Sequence, residues 1–339
     1  MTPSDRPDPA PRRSRLSRWR SRLETLAAER PVFLAFCVFL GAALVVVPLS
    51  LPFYLSDTSN FLENIAAEAH GMVFDLLVIG WFMLWLNRLA ERRLRTNRYR
   101  EEIDDYLGWH SPEATHRIAG NVRRLNRNGI RKGLKLTEAY LKGANLAGAH
   151  LEHADLWGAN LHSAGLHGAL LSHANLAGAN LQSADLERAI LTGADLRGAN
   201  LTEADLERAF LEDADLRGAI FTGADLQFAS LPNALLTRAR FVGANLRGAH
   251  LEGADLEGAD FGGATLHGAS LDGARLDGAS FADADLERAD LTGIVVSDAA
   301  ALATLFEGVR SIRGVKLSTE TEATLREVAP HLFRQPARV

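Results

Sequence analysis

The sequence predicts an all-β solenoid standing behind an α-helical membrane hairpin. Three observations carry that expectation. Alanine recurs at every fifth position from Ala139 to Ala289, thirty-one times without a break, and Leu or Phe stands two residues after each alanine. The four Phe at that second position, Phe221, Phe241, Phe261 and Phe281, are spaced by 20. Two long apolar stretches near the start carry arginine on their outer flanks and none between them.

Taken in order, residues 1–30 hold eight Arg, four acids and Pro3, Pro7, Pro9 and Pro11, the composition of a disordered basic tail. From Pro31 to Leu55 no residue is charged. That run exceeds the roughly 20 residues a helix needs to span a bilayer. It is too long for the apolar core of a signal peptide and ends in Pro-Phe-Tyr rather than at a small-residue cleavage site. A second apolar stretch, Ala69–Asn87, is interrupted by His70 and Asp75 and has Trp81 and Trp85 towards its far end. Between Arg30 and Arg88 there is no Lys or Arg. Cations tend to stay on the cytoplasmic side, so residues 31–87 read as a two-helix transmembrane hairpin with both termini cytoplasmic. The alternative is a pair of buried helices in a soluble protein. Asn64, Glu68 and Asp75 share one helix face and lack a local cation. They are candidates for an intramembrane polar function, or else lie at the outer interface, hydrated.

Residues 88–133 read as charged juxtamembrane and capping helices. Leu89, Thr96 and Ile103 give only a short heptad trace. Ser111-Pro112-Glu113 is a helix start, with an N-cap, proline at the first position and an acid in the first turn. Ala114, Ile118, Val122 and Leu125 form the apolar stripe, and Asn128-Gly129 ends the helix. Residues 88–135 hold thirteen bases and six acids.

The repeat occupies 134–293. A period of five suits neither a helix, where each step turns the side chain by ~140°, nor a flat strand, where successive leucines alternate faces. All leucines share one core only if the chain turns once per unit. Glycine two residues after the leucine, in eighteen of thirty-one units, marks the corner. The 20-residue spacing of Phe sets four units per coil, hence a square β-helical solenoid of nearly eight coils, roughly 37 Å long at ~4.8 Å per coil. The pattern stops after Gly293. Residues 294–339 should close the last coil with helices at Asp298–Glu307 and Thr319–Ala329, the latter opened by a capping box from Thr319 to Glu322.

This pattern resembles the pentapeptide-repeat family, whose centre residue is Leu or Phe, with Ala two before it and often Asp or Asn one before it. The resemblance implies a right-handed quadrilateral β-helix. The hairpin with its Arg-rich helix resembles a module found ahead of such repeats in bacterial proteins, which implies the bacterial inner membrane.

Function is less legible. The chain has 339 residues, net charge −5 and one cysteine, Cys37, which excludes an internal disulfide framework and a cysteine zinc site. No nucleotide, nucleophile or hydrolase motif is present, so no enzyme and no cofactor are expected. Gly129–Gly133 is too short for a phosphate loop. His150, His153, His162, His167 and His173 cluster, and His153 and His173 fall on adjacent coils; two imidazoles do not complete a metal site. Residues 139–293 carry twenty-two acids and ten bases, with Asp185, Asp205 and Asp225 in one ladder and Asp195 and Asp215 in another. This is a solvated, repulsive surface, or an acidic DNA-mimicking rod like the family members that bind DNA gyrase. Direct nucleic-acid binding is not expected. One outward row is apolar: Leu170, Ile190 and Phe210, each before a core leucine and 20 apart, bounded by His150, Ser230 and His250. The expectation is a membrane-anchored, non-enzymatic scaffold whose partners are the lipid bilayer and a protein, or a second copy of the chain, on that face. The alternatives are the topoisomerase-directed rod and a small oligomeric channel or sensor built from the hairpin.

Overall fold

In the computed structural model, residues 61–333 are described, and the chain divides into two units, one ending at Arg98 and one beginning at Tyr99. The predicted first membrane helix, 31–55, lies outside the described residues. The second apolar stretch and the charged segment after it form one continuous helix, α1, Phe61–Tyr106. Met72, Val78, Trp81, Leu84 and Trp85 are exposed on it, while Leu86 and Ala90 are buried. Among the described residues no helix is long and apolar enough to cross a membrane, so the predicted hairpin finds no support there; several side chains of the 69–87 stretch are not among those described.

In the second unit, α2 spans Pro112–Arg127. Ser111 caps it, accepting from the Ala114 N–H, and Gly129 leaves it at φ 83°. Ala114, Ile118, Val122 and Leu125 are fully buried, as their spacing predicts, as is Asn121, and Thr115 is nearly so. Two side chains fasten α2 over the open coil. Asn126 accepts from the His150 N–H at 2.8 Å and donates to the His150 carbonyl at 2.9 Å. Thr115 donates to the Tyr140 carbonyl at 3.1 Å. Backbone groups at a solenoid end would otherwise stay unpaired.

The solenoid follows from the unit. Leu141 accepts from Ala144 at 3.0 Å, closing a turn whose third residue, Gly143, has φ 66°. That is the mark of a type II turn, which needs a left-handed residue there. All thirty-one units repeat this corner: eighteen with glycine and thirteen with other residues, from Asp and Arg to Phe228 at φ 55°. Between corners the extended piece is so short that no strand forms among the described residues. Each side instead contributes one parallel bridge per coil, the residue before the core leucine pairing with its counterpart 20 residues on. The leucine N–H donates up the rod (Leu141 to Asn160, 2.7 Å), and that bridged residue donates back (Asn160 to Ala139, 2.9 Å). Every centre Leu and Phe and every repeat Ala is buried. The four phenylalanines stack with ring centroids 4.8 Å apart, the coil rise taken from the spacing of stacked strands.

The coils continue past the predicted end. Val295 bridges Arg275, and Ser311 and Lys316 bridge Asp285 and Asp290 at an offset of 26 rather than 20. The six extra residues accommodate a short helix, α3, Ala299–Leu305, capped by Asp298. Ile294, Val296, Ile312, Val315 and Leu317 replace the Ala-x-Leu signature there, which hides the coil from a pattern built on alanine. A last helix, α4, Thr319–Val328, is capped by Ser318 rather than by Thr319, the Ser318 hydroxyl accepting from the Thr321 N–H at 3.0 Å. Leu302, Leu305, Phe306 and Leu325 bury themselves in the end of the core.

Candidate protein-docking face

The four sides of the square carry different columns. One column runs His150, Leu170, Ile190, Phe210, Ser230, His250, each bridged to the next. The predicted apolar row is therefore contiguous on one face. Leu170 and Ile190 are half-buried, and Phe210 is 44% exposed. Chain direction decides the edges. The residue two before each column member lies at one corner and the residue two after it at the other. The first edge carries Arg188, Arg208 and Phe228; the second carries Thr192, Glu212 and Pro232.

Phe228, which sequence reasoning missed, enlarges the patch. It is 46% exposed, with the Arg208 guanidinium 5.6 Å from its ring centroid. On the far side the ring lies over Gly248, where a Cβ would come within 2.7 Å of it. The signal was an aromatic at a corner position that glycine usually fills. Arg208 also pairs with Glu207 at 2.7 Å. Across the face, the Glu212 carboxylate accepts from Ser230 at 2.8 Å and Thr192 at 3.0 Å. Among the described residues no cation pairs with it.

The acidic ladders exist: Asp185, Asp205 and Asp225 bridge in series, and Asp195 bridges Asp215. Their carboxylates serve the turns. Ten aspartates before core residues, among them Asp185, Asp195, Asp205, Asp215 and Asp225, accept the backbone N–H two residues on. This is the Asx motif that substitutes for a backbone turn bond. Arg197 sits between two of them, 2.6 Å from Asp195 and 3.6 Å from Asp215. Its hydrogen bond holds the Asp195 carboxyl below the usual carboxylate range. The repulsion foreseen in this column is offset locally.

The remaining candidates are not brought together. His153 and His173 stack with centroids 5.2 Å apart, yet among the described residues no three His, Cys, Asp or Glu are placed to hold a metal. Asn64 and Glu68 lie within α1, and Asp75 is exposed on it. At the α2 end, Arg123, Arg127, Arg131, Lys132 and Lys135 are exposed, with no acidic partner among the described residues.

Repeating five-residue units, left-handed corners and a 20-residue bridge period together define a quadrilateral solenoid. A family model described as Pentapeptide repeats matches residues 139–178, 169–208, 179–218, 199–238, 219–258 and 259–298. The chain belongs to the pentapeptide repeat family, whose fold is a right-handed β-helix. No curated protein matches. Among solved structures, HetL, a pentapeptide repeat protein involved in heterocyst differentiation regulation from the cyanobacterium Nostoc, is 33% identical, with 58% of this chain and 93% of that one covered and a TM-score of 0.32. A thylakoid-lumen pentapeptide repeat protein from Arabidopsis thaliana is 31% identical over 38% and 88% of the two chains, TM-score 0.22. QnrB1, a plasmid-mediated fluoroquinolone resistance protein, is 23% identical over 58% and 94%, TM-score 0.38.

Proposed function

We propose that the protein is a non-enzymatic interaction rod, held at the bacterial inner membrane by residues 31–87 with both termini cytoplasmic, and that it docks a protein on the face of Leu170, Ile190 and Phe210. The observation that carries the docking reading is the contiguity of that apolar column, with Phe228 at its edge, on a solenoid whose other columns are mostly polar. A contiguous exposed patch marks a contact where scattered apolar residues do not. The anchoring reading rests on the arginine asymmetry, on the exposed Trp81, Leu84 and Trp85 of α1, and on Arg123, Arg127, Arg131, Lys132 and Lys135, exposed and without an acidic partner among the described residues, which suit anionic headgroups. The DNA-mimic alternative would need rows of free carboxylates. Ten of the aspartates give one oxygen to their own turns, and in the 195/215 column Arg197 and Arg217 pair with the carboxylates and interrupt the negative row.

Two measurements test the reading. Reporter domains active only outside the cytoplasm should work when fused at Thr58 and fail at Arg92 and Val339; activity at Val339 overturns the topology. Ile190→Asp should keep the fold, since the side chain points outward, and should abolish partner capture by the full chain from detergent-solubilised membranes, because a charge would be buried unpaired. Unchanged capture overturns the docking face.

A further inference from the structure

We infer that the occupant of this face is a second copy of the chain, docked in parallel about a two-fold axis running along the rod. The inference rests on the docking reading above and names its partner. Its basis is the charge asymmetry between the two edges. One edge presents arginine and an aromatic, Arg188, Arg208 and Phe228, each arginine also paired with the glutamate before it (Glu187 at 3.4 Å, Glu207 at 2.7 Å); the other carries Thr192, Pro232 and a Glu212 that pairs with no cation among the described residues, at the same three heights.

The symmetry of a face-to-face dimer leaves two choices. With the axis along the rod, height is conserved and the edges exchange. Arg208 then meets the partner subunit's Glu212, and Phe228 meets the partner subunit's Pro232, each contact occurring twice. With the axis across the rod at Ile190, heights invert and each edge meets itself, setting Arg188 against the partner subunit's Arg188 and leaving Glu212 opposite the partner subunit's Ser172 with no cation. Like charges in such a contact select against it. Glu212 is prepared for a cation. Two hydroxyls fix its carboxylate, and no cation of its own chain among the described residues engages it. Arg208 keeps donors free while bonded to Glu207 through one nitrogen. Leu170, Ile190 and Phe210 lie on the central column, so in the parallel dimer each meets its own copy and the apolar strip is covered along its length. The contact is narrow, and holding both chains in one bilayer raises their effective concentration.

The test uses the full chain in vesicles with its single cysteine, Cys37, replaced by Ser. Leu170→Cys, Ile190→Cys and Phe210→Cys should each form a disulfide-linked homodimer on mild oxidation, and Asn180→Cys, on the opposite face, should not. A dimer centred on Ile190 but antiparallel would link only Ile190→Cys to itself and would join Leu170→Cys to Phe210→Cys; that result overturns the parallel arrangement. Absence of self-linkage at all three positions overturns the second-copy assignment, while loss of capture in Ile190→Asp would still uphold the docking face itself. Arg208→Glu should lower linkage of Ile190→Cys about fivefold or more, and adding Glu212→Arg should restore it. Failure of the reversed pair to restore linkage overturns the proposed contact. Circular dichroism should be unchanged in every variant, since all these side chains lie outside the core.

Discussion

Phe241→Ala is the perturbation that tests the coil register most directly. Phe241 is fully buried, and its ring lies between those of Phe221 and Phe261 at 4.8 Å on each side, with interplanar angles of 4° and 3°. Truncation removes both ring contacts and leaves a void that the stacked coils above and below cannot close, because the backbone bonds between coils fix their spacing. The expected cost is about 3–5 kcal/mol, the range for a buried aromatic cut to alanine. In an array of this length each kcal/mol moves the melting temperature by about 2–4 °C, so the midpoint should fall by about 6–20 °C. Phe241→Leu should cost under about 1.5 kcal/mol, since leucine fills twenty-seven of the thirty-one equivalent positions. Arg247→Ala, two residues past the Asn245 turn acceptor and exposed, should stay within ~0.5 kcal/mol. The assay is thermal unfolding of the full chain followed by circular dichroism. Equal midpoints for Phe241→Ala and Arg247→Ala would refute the stacked-core register.

Two further outcomes follow from the corners and the paired acids. Gly218 has φ 67° and no atom within 4 Å of where a Cβ would stand, so Gly218→Ala isolates the backbone effect and should destabilise by about 1 kcal/mol; Ser163→Gly, at φ 54°, should stabilise by about 0.5–1 kcal/mol, both read from urea midpoints. Because the Arg197 hydrogen bond lowers the native pKa of Asp195, the stabilisation is fully present above the unfolded carboxyl's ordinary value, about 4, and is lost as pH falls from there through the lowered native value; Arg197→Ala should flatten the slope of stability below pH about 4, and an unchanged slope would show that the pair does not act in solution.

The coil and its phenylalanine column were legible because both are periodic, and period survives without coordinates. The corners were half legible. Glycine announced eighteen of them, while residues such as Arg188 and Phe228 are held at positive φ by the bonds between coils, which leave no mark in composition. The aspartates were half legible for a related reason. Counted as charge they suggest repulsion or mimicry; the structure adds that Asp205 and its counterparts accept the backbone N–H of their own turns. The last coil was hidden because Ile294, Val315 and Leu317 keep the shape of the unit without its alanine signature. At the candidate site, the column of Leu170, Ile190 and Phe210 could be read by counting twenties. The opposed edges could not, because they depend on which corner residue leans towards which face.

Four units to a coil also make the rod a device that counts. Deleting one five-residue unit would leave an alanine-leucine core of the same kind, yet every downstream side chain would arrive a quarter turn away from its former column. Adding four units would lengthen the rod by one rise of ~4.8 Å and rotate nothing. The interior is blind to face identity, so the outer chemistry is written modulo four. The offset of 26 in the last coil obeys the same arithmetic: its six surplus residues are exported into α3, and Ser311 and Lys316 re-enter in phase with the columns beneath them. Length can therefore drift by whole coils while the address of each face stays intact.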